Sequence, residues 1–329
     1  MFYCCDLHSH SSYSDGVLSP EELVHKAYAA GVRVLAISDH DYITPLAELQ
    51  SQYPDMVLLH SAEVSCLWKE RVIHILGLNV DPCCTRLQNA LKKNRNYDRR
   101  PYIQEMLDKL RQYHIDLGSY DDVAAACPGI EHIGRMHIAR EIWRRGYAES
   151  PTQALDLYVG SLGQKLCYVP TPAPYVTTEE AIAAIREANG LPVLAHPFYY
   201  RLSDAQLKEL IQGFASLSGP GSAGLEVFYN DYSQKQVLKL MCWGREYNLL
   251  FSAGSDYHGN AEQRFSRVPI AACAPLLEQL GILIRKRAVE RRDSQFYSID
   301  QVYTELLSPF NEDEIQAMLT FEKEDKKHA

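Results

Sequence analysis

The chain has 329 residues, of which 46% are hydrophobic, so it is long and apolar enough to bury a substantial core. Its net charge of −9, from 33 basic and 42 acidic residues, disfavours general duplex-DNA binding but leaves room for a local basic pocket. No run approaches the roughly 18 apolar residues of a membrane span, and the N-terminus lacks a signal-peptide pattern. The nine cysteines fit no disulfide framework, so we expect a cytoplasmic protein with reduced thiols.

Short β-rich runs alternate with amphipathic helical patterns, as in parallel βα units. The predicted strands are Phe2–Leu7, Arg33–Ser38, Met56–Ala62, Val72–Leu78, Pro192–Ala195, Gly224–Phe228 and Leu249–Ser252. A helix over Pro20–Ala30 is predicted to begin at an N-cap on Ser19, and Thr178–Asn189 is predicted to begin at Thr177. Seven such strands predict an α/β fold that closes, or nearly closes, into a barrel.

One segment interrupts this alternation with helical patterns alone. Its predicted helices are Tyr102–Tyr113, Arg135–Arg145 and Pro151–Tyr158. We therefore expect a barrel domain from residues 1–97 and 166–275 and a helical insertion over residues 98–165 that covers the site as a lid. Residues 276–329 are predicted to form a charged, helical C-terminal extension.

Histidines and acids cluster at or near the predicted strands. The first strand runs into Asp6-Leu7-His8-Ser9-His10, and the last runs into Asp256-Tyr257-His258. Because the carboxyl ends of parallel barrel strands share one rim, these side chains should converge there. The full set is His8, His10, Asp15, His40, Glu63, His74, His196, Asp256 and His258. Imidazoles and carboxylates suit Zn²⁺, Mn²⁺ or Fe²⁺, and nine ligands are enough for two or three such ions.

These motifs, in this order, resemble the polymerase and histidinol phosphatase (PHP) family over about residues 1–260. The resemblance implies a distorted (β/α)₇ TIM-like barrel with a di- or trinuclear metal site. It implies that the first metal is held by His8, His10, Glu63 and Asp256. It likewise implies Glu63, His74 and His196 for the second metal, with Glu63 as a bridge, and Asp15, His40 and His258 for the third.

A second resemblance narrows the expected substrate. The segment Ile133-Gly134-Arg135-Met136-His137-Ile138-Ala139-Arg140 resembles a PHP branch that contains nucleotide 3′,5′-bisphosphate phosphatases and 5′→3′ oligoribonucleases, although Met136 stands where that branch usually has Pro. Arg135 and Lys165 are therefore candidates for substrate phosphate contacts. His137 is a candidate to orient substrate or to cap a helix, and Arg201 is a candidate at the pocket mouth.

The expected reaction is hydrolysis of a small phosphorylated substrate, a nucleotide or short RNA, by a metal-bridging hydroxide. Glu63, Asp256 and His258 are the expected catalytic centre, and either His258 or a metal-bound water protonates the leaving oxygen. Two alternatives remain open. One is a histidinol-phosphate-type phosphomonoesterase, whose cationic substrate calls for an acid near the phosphate; the other is a non-catalytic metal-binding module.

Overall fold

The protein is described by a computed structural model over residues 4–127, 133–160, 166–170 and 173–281. Its strands are β1 (Cys4–Ser9), β2 (Val32–Ile37), β3 (Val57–His60), β4 (Ala62–Trp68), β5 (Arg71–Leu78), β6 (Val176–Thr177), β7 (Leu191–Leu194), β8 (Gly224–Tyr229) and β9 (Leu250–Gly254). Its helices are α1 (Pro20–Ala29), α2 (Ala47–Gln52), α3 (Thr85–Arg95), α4 (Arg100–Gln112), α5 (Tyr120–Ala125), α6 (Arg135–Arg144), α7 (Pro151–Ala154), α8 (Thr178–Glu187), α9 (Asp204–Ser218), α10 (Gln234–Glu246) and α11 (Ala274–Gln279). The chain is thus an α/β protein, as predicted.

Both predicted helix caps are confirmed. The Ser19 side chain accepts from the Glu22 N–H and the Glu22 side chain accepts from the Ser19 N–H, which forms a capping box at α1. Thr177 and Glu180 form the same arrangement at α8. Such caps satisfy N–H groups that have no partner within the helix, so they fix where each helix begins.

The sheet is mixed rather than parallel throughout. Strands β1, β2 and β3 form one parallel sheet, and the second sheet has the order β6-β4-β5-β7-β8-β9. Within the second sheet β5 runs antiparallel to both β4 and β7, whereas the other pairs are parallel. The sequence predicted that His74 lies at the rim formed by the carboxyl ends of parallel strands. It lies instead in the middle of β5, which runs antiparallel to both of its neighbours.

The predicted strand Met56–Ala62 is wrong in one respect. The predicted strand is interrupted at Ser61, so that β3 belongs to the first sheet and β4 to the second. β4 then turns back into β5 as a hairpin, with Ser65 opposite His74. Glu63 consequently stands near the start of β4 instead of at the end of the preceding strand.

The helices between residues 100 and 160 bury an apolar cluster of their own. Its fully buried side chains include Ile103, Met106, Ile138, Ile142 and Val159. Burial of each such side chain contributes about 1.5–3 kcal/mol, so these helices hold together through their own packing. The last predicted helix of this segment is shorter than expected, because α7 passes into a π turn over Leu155–Val159.

Residues that follow β9 contact β1. The Asp6 carboxylate accepts hydrogen bonds from the Ser255 N–H at 3.0 Å, the Ser255 hydroxyl at 2.5 Å and the Ser266 N–H at 2.8 Å. Isolated bridges pair Ser9 with Tyr257 and His40 with Glu63, and so join the two sheets next to the predicted site. Across the described ranges, no helix has the length and apolar character of a membrane span.

Candidate active site

His8 and His10 lie on the same side of β1, because alternate residues of a strand share a face. Both are fully buried. Their Nε2 atoms lie 3.4 and 3.3 Å from Glu63 Oε2, and 3.3 and 3.0 Å from Asp256 Oδ1. These four side chains offer ligand atoms that all lie within 4.8 Å of one another.

Glu63 also belongs to a second group of donors. Its Oε2 lies 2.9 Å from His40 Nδ1, and its Oε1 lies 2.8 Å from His74 Nδ1. His40, Glu63 and His74 again place ligand atoms within 4.8 Å of one another. His196 Nε2 reaches the same Glu63 Oε1 at 2.8 Å and His74 Nδ1 at 3.3 Å. Glu63 therefore connects two groups of histidines.

A third group surrounds Asp15, in the loop after β1. Its Oδ1 lies 3.1 Å from His258 Nε2 and 3.8 Å from His10 Nδ1, and its Oδ2 lies 3.8 Å from His40 Nε2. His10, Asp15, His40 and His258 all offer ligand atoms within 4.8 Å of one another. The nine residues singled out from the sequence are thus brought together around one centre, and His10 joins this third group as well as the first.

The donor atoms are arranged for a cation rather than for one another. Among the described residues, His8 Nε2, His10 Nε2, Glu63 Oε2 and His196 Nδ1 are buried and have no hydrogen bond of acceptable geometry. Buried polar atoms without hydrogen bonds are costly. Three of these four, His8 Nε2, His10 Nε2 and Glu63 Oε2, lie close together without the alignment that a hydrogen bond requires. Such convergence on a shared point suits coordination of divalent ions.

Glu63 is held ionised by its histidine neighbours. Burial raises the pKa of this carboxyl, but His74 and His40 outweigh burial and hold the pKa well below its usual range. Asp15 and Asp256 respond in the same way to the imidazoles around them, again against the effect of burial. All three carboxyls are therefore anionic at neutral pH, which is the form that binds a cation.

Two of the site residues have unusual backbone conformations. His196 has φ 27° and Asp256 has φ 50°, both in the left-handed region that side-chain-bearing residues rarely adopt. Each stands just beyond the end of its strand, β7 or β9. Strain of this kind is tolerated where surrounding structure fixes it and commonly marks functional positions.

Residues behind the cluster hold its loops and rings in place. Asp39 accepts hydrogen bonds from the Ser11 N–H at 2.7 Å and from the Ser14 hydroxyl at 2.6 Å, which fixes the loop that carries Asp15. Glu226 Oε1 lies 3.0 Å from His8 Nδ1, so it orients the ring with Nε2 toward the cluster.

The cluster opens into a cavity of about 1450 Å³. Arg135 lines it, with its guanidinium 5.8 Å from the Tyr168 ring centroid. Arg201 also lines it, but is exposed and pairs with Asp156 at 3.5 Å. Lys165 lies outside the described residues.

His137 lines the same cavity and caps α6. Its Nδ1 accepts a hydrogen bond from the Gly134 N–H at 3.0 Å, whereas its buried Nε2 has no hydrogen bond among the described residues. Burial is the main cause that lowers the pKa of His137 to about 4, so the ring is neutral and carries its proton on Nε2. The sequence left open whether His137 orients substrate or caps a helix, and the structure shows the helix cap.

Three further arginines were not singled out from the sequence. Arg95, the last residue of α3, and Arg99, the residue before α4, both line the cavity, and because they belong to different helices no helical spacing linked them. Arg140, one turn beyond His137 on α6, donates from Nη2 to the Asp15 carbonyl oxygen. That contact ties the loop of the third donor group to a helix 125 residues away in sequence, which no local pattern reveals.

Comparison with known proteins agrees with this geometry. A model of the PHP domain matches residues 6–126. A 5′-3′ exoribonuclease of Haemophilus influenzae is 36% identical over 255 residues, which cover 77% of this chain and 89% of that protein. The chain belongs to the PHP family. The predicted family is thereby confirmed, and with it the class of hydrolases acting on phosphate esters.

Other PHP relatives extend the comparison. A 3′,5′-nucleoside bisphosphate phosphatase of Chromobacterium violaceum is 30% identical over 78% of this chain and 88% of its own length. A solved structure of a C. violaceum amidohydrolase superposes with a TM-score of 0.74 at 30% identity, covering 84% of this chain and 95% of that one. A protein described as a metal-dependent phosphoesterase from Bifidobacterium adolescentis superposes with a TM-score of 0.66 at 27% identity, covering 87% and 98%.

Proposed function

We propose that this PHP protein hydrolyses phosphate esters of nucleotides, either a 3′,5′-bisphosphate nucleotide or the 5′ end of a short RNA. The observation that carries the proposal is the convergence of three donor groups on Glu63 and its neighbours, beside a cavity lined by arginines. Relatives named for each of these activities support it.

The residues around the cluster would hold two or three divalent ions of manganese, zinc or iron. His8, His10, Glu63 and Asp256 would hold the first. Glu63 with His74 and His196, and with His40 at 2.9 Å, would hold the second. Asp15, His40 and His258, joined by His10, would hold the third. When bound, such ions lower the pKa of a coordinated water and neutralise phosphate charge.

The chain's own residues then position the substrate and control protons. Glu63 and Asp256 remain anionic because of their imidazole neighbours, and so keep cations in place throughout turnover. His258 Nδ1 lies 2.7 Å from the Asp256 carbonyl oxygen, which directs Nε2 toward the reacting centre. In a two-ion site this ring would be free to protonate the leaving oxygen, whereas with a third ion on Nε2 that role would pass to a bound water. Arg135 binds phosphate, and Lys165 is proposed to assist it.

Further proposals concern the fold around this site. We propose that the two sheets together make up the distorted barrel typical of the family, and the Ser9–Tyr257 and His40–Glu63 bridges that join them support this. We propose that residues 98–165 make up a helical insertion over the barrel rim, and the separate apolar cluster that the described helices of this segment bury supports this. Residues 276–329 are proposed as a C-terminal extension, whose described beginning packs into the main core through the buried Leu276 and Leu277.

The arginines favour a nucleotide over histidinol phosphate. Arg99 Nη1 lies 3.9 Å from where a Cβ on Gly134 would stand, so Arg99 and Arg135 flank the start of α6 within one cavity. The positive end of that helix adds to their field. A second phosphate on the substrate would use this charge, whereas the cationic amine of histidinol phosphate would be repelled.

The test uses protein reconstituted with Mn²⁺, Zn²⁺ or Fe²⁺ and measures phosphate release from adenosine 3′,5′-bisphosphate and histidinol phosphate, and release of nucleoside monophosphates from short 5′-phosphorylated RNAs. We expect the nucleotides to be turned over and Arg135→Ala to lose ~10-fold or more in kcat/KM, because a charged hydrogen bond contributes roughly 1.5–3 kcal/mol. Arg144→Ala, on the exposed side of the same helix, is the matched control. Preference for histidinol phosphate, unaffected by Arg135→Ala, would contradict the proposal. Full metal occupancy without turnover of any ester would indicate a binding module.

A further inference from the structure

Two aromatic walls stand at opposite ends of the metal cluster and line its cavity. One is formed by Tyr13 and Tyr42, whose rings stack with centroids 5.0 Å apart and planes inclined by 13°. Tyr13 is two residues from Asp15, so the two Cα atoms are at most about 7.6 Å apart. The Tyr13–Tyr42 wall therefore borders the third donor group.

The other wall is formed by Tyr199 and Tyr229, with centroids 5.3 Å apart. It borders the opposite part of the cluster, because the His196 ring lies 5.7 Å from Tyr199 and 6.4 Å from Tyr229. The Tyr229 hydroxyl also donates to Asp256 at 3.1 Å. A substrate centred on the ions would thus have tyrosine rings on either side.

The Tyr13 ring has the properties of a stacking surface. Although it already stacks on Tyr42, 52% of Tyr13 is exposed, in the wall of the cavity. The Arg95 guanidinium lies 4.9 Å from the Tyr42 centroid, and its buried Nε makes no hydrogen bond among the described residues. Aromatic rings beside a cation are the usual means by which proteins bind single-stranded nucleic acid without sequence preference.

We propose that Tyr13, supported by Tyr42 and Arg95, stacks against the second nucleobase of a short single-stranded oligonucleotide, on the leaving side of the scissile phosphodiester. This rests on the proposed function and specifies its substrate class. The terminal nucleotide takes the more enclosed wall, where Tyr229 is buried. The continuing strand leaves past the exposed Tyr13. A 3′,5′-bisphosphate nucleotide has a single base and so leaves Tyr13 unused.

The kinetic test compares 5′-phosphorylated diadenylate with adenosine 3′,5′-bisphosphate in metal-loaded protein. Tyr13→Ala should lower kcat/KM for the dinucleotide by about 10-fold or more, the size of one lost base stack, and leave the bisphosphate unchanged. Tyr13→Phe keeps the ring and should retain both activities. Tyr147→Ala, an exposed tyrosine outside the cavity, is the matched control. A dinucleotide that lacks the second base should be insensitive to Tyr13→Ala.

A binding readout separates this proposal from the proposed function. With 2-aminopurine as the second base of the dinucleotide, stacking on Tyr13 should quench fluorescence on mixing, before hydrolysis, and Tyr13→Ala should abolish the quench. If the wild type cleaves nucleotides but Tyr13→Ala changes neither the quench nor the dinucleotide kinetics, the stacking proposal is overturned and the hydrolase remains. Equal losses on both substrates would also overturn it. If the quench depends on Tyr13 but nucleotides are not cleaved, stacking stands and the proposed hydrolysis fails.

Discussion

Glu226 joins two residues of the candidate metal site: its Oε1 lies 3.0 Å from His8 Nδ1, and its Oε2 accepts the backbone N–H of His196 at 2.6 Å. All three residues are buried. One carboxylate therefore fixes both the ring direction of His8 and the left-handed backbone of His196. These contacts place Glu226 directly behind the cluster.

Glu226→Gln is expected to weaken metal binding without unfolding the protein. The amide retains the shape of the side chain but loses the charge that raises the pKa of His8, against the opposing effect of burial. Loss of a partner behind a metal-binding histidine typically costs about 10- to 100-fold in metal affinity. Titration of the metal-free variant with Mn²⁺ or Zn²⁺ by calorimetry measures this. Unchanged affinity would show that His8 is held by its neighbours alone.

Glu63→Gln is expected to remove more metal than the loss of a histidine that serves one donor group only, such as His8 or His74. Glu63 contributes to two donor groups, and the neutral amide is a much poorer ligand than the carboxylate. Metal content after dialysis should therefore fall by at least two ions relative to Glu149→Gln, which changes an exposed acid in the same way. Loss of a single ion would disprove a bridging role.

The sequence predicted this cluster well because its ligands stand in short motifs next to strands. It did not predict β4, because the sequence passes from β3 into β4 through Ser61 without a glycine or proline that would signal a turn. For the same reason the antiparallel direction of β5 was missed: strand direction depends on the hairpin at Lys69, which has φ 54° and no glycine to mark it. The contact of Arg140 with Asp15 is purely tertiary and has no local signature.

Arg140→Lys is expected to loosen the third donor group selectively. The Arg140 guanidinium is largely buried and donates to the Asp15 carbonyl oxygen, and a lysine cannot reproduce its planar donor geometry. We expect the metal ion near Asp15 to dissociate at lower chelator concentration, while the ions near Glu63 are retained. A stepwise chelator titration followed by metal analysis distinguishes the two populations. Arg144→Lys on the same helix is the control, and parallel release of all ions would contradict the prediction.

His137 is expected to make the protein less stable in mild acid. Its pKa is lowered to about 4 by burial, whereas the unfolded chain has the ordinary value near 6.5. The unfolded state therefore binds this proton first, so the stability present above pH 6.5 is lost as pH falls toward 4. Linkage gives a loss of about 2 kcal/mol between pH 7 and pH 5. Urea unfolding of wild type and His137→Gln at both pH values isolates this contribution, and an equal pH dependence in the two proteins would refute it.

Gly254→Ala is expected to destabilise the protein and its metal site together. A Cβ at this position, the last residue of β9, would overlap Glu226 Oε1 and His8 Cβ. Overpacking of a buried site typically costs about 1–3 kcal/mol, and here it would also displace Glu226 from His8. Gly213→Ala, in the middle of α9 with open space around it, should instead be neutral or stabilising. Thermal unfolding of both variants, with and without metal, measures the difference.

The hydrogen bonds from Ser255 and Ser266 to Asp6 also bear on how the protein is made in the cell. Synthesis proceeds from the amino end, so His8 and His10 leave the ribosome long before Asp256 and His258 exist. The strand that presents the first two imidazoles stays without its Asp6 partners until about residue 266 has emerged. Premature termination anywhere before His258 yields fragments that lack part of the candidate ligand set.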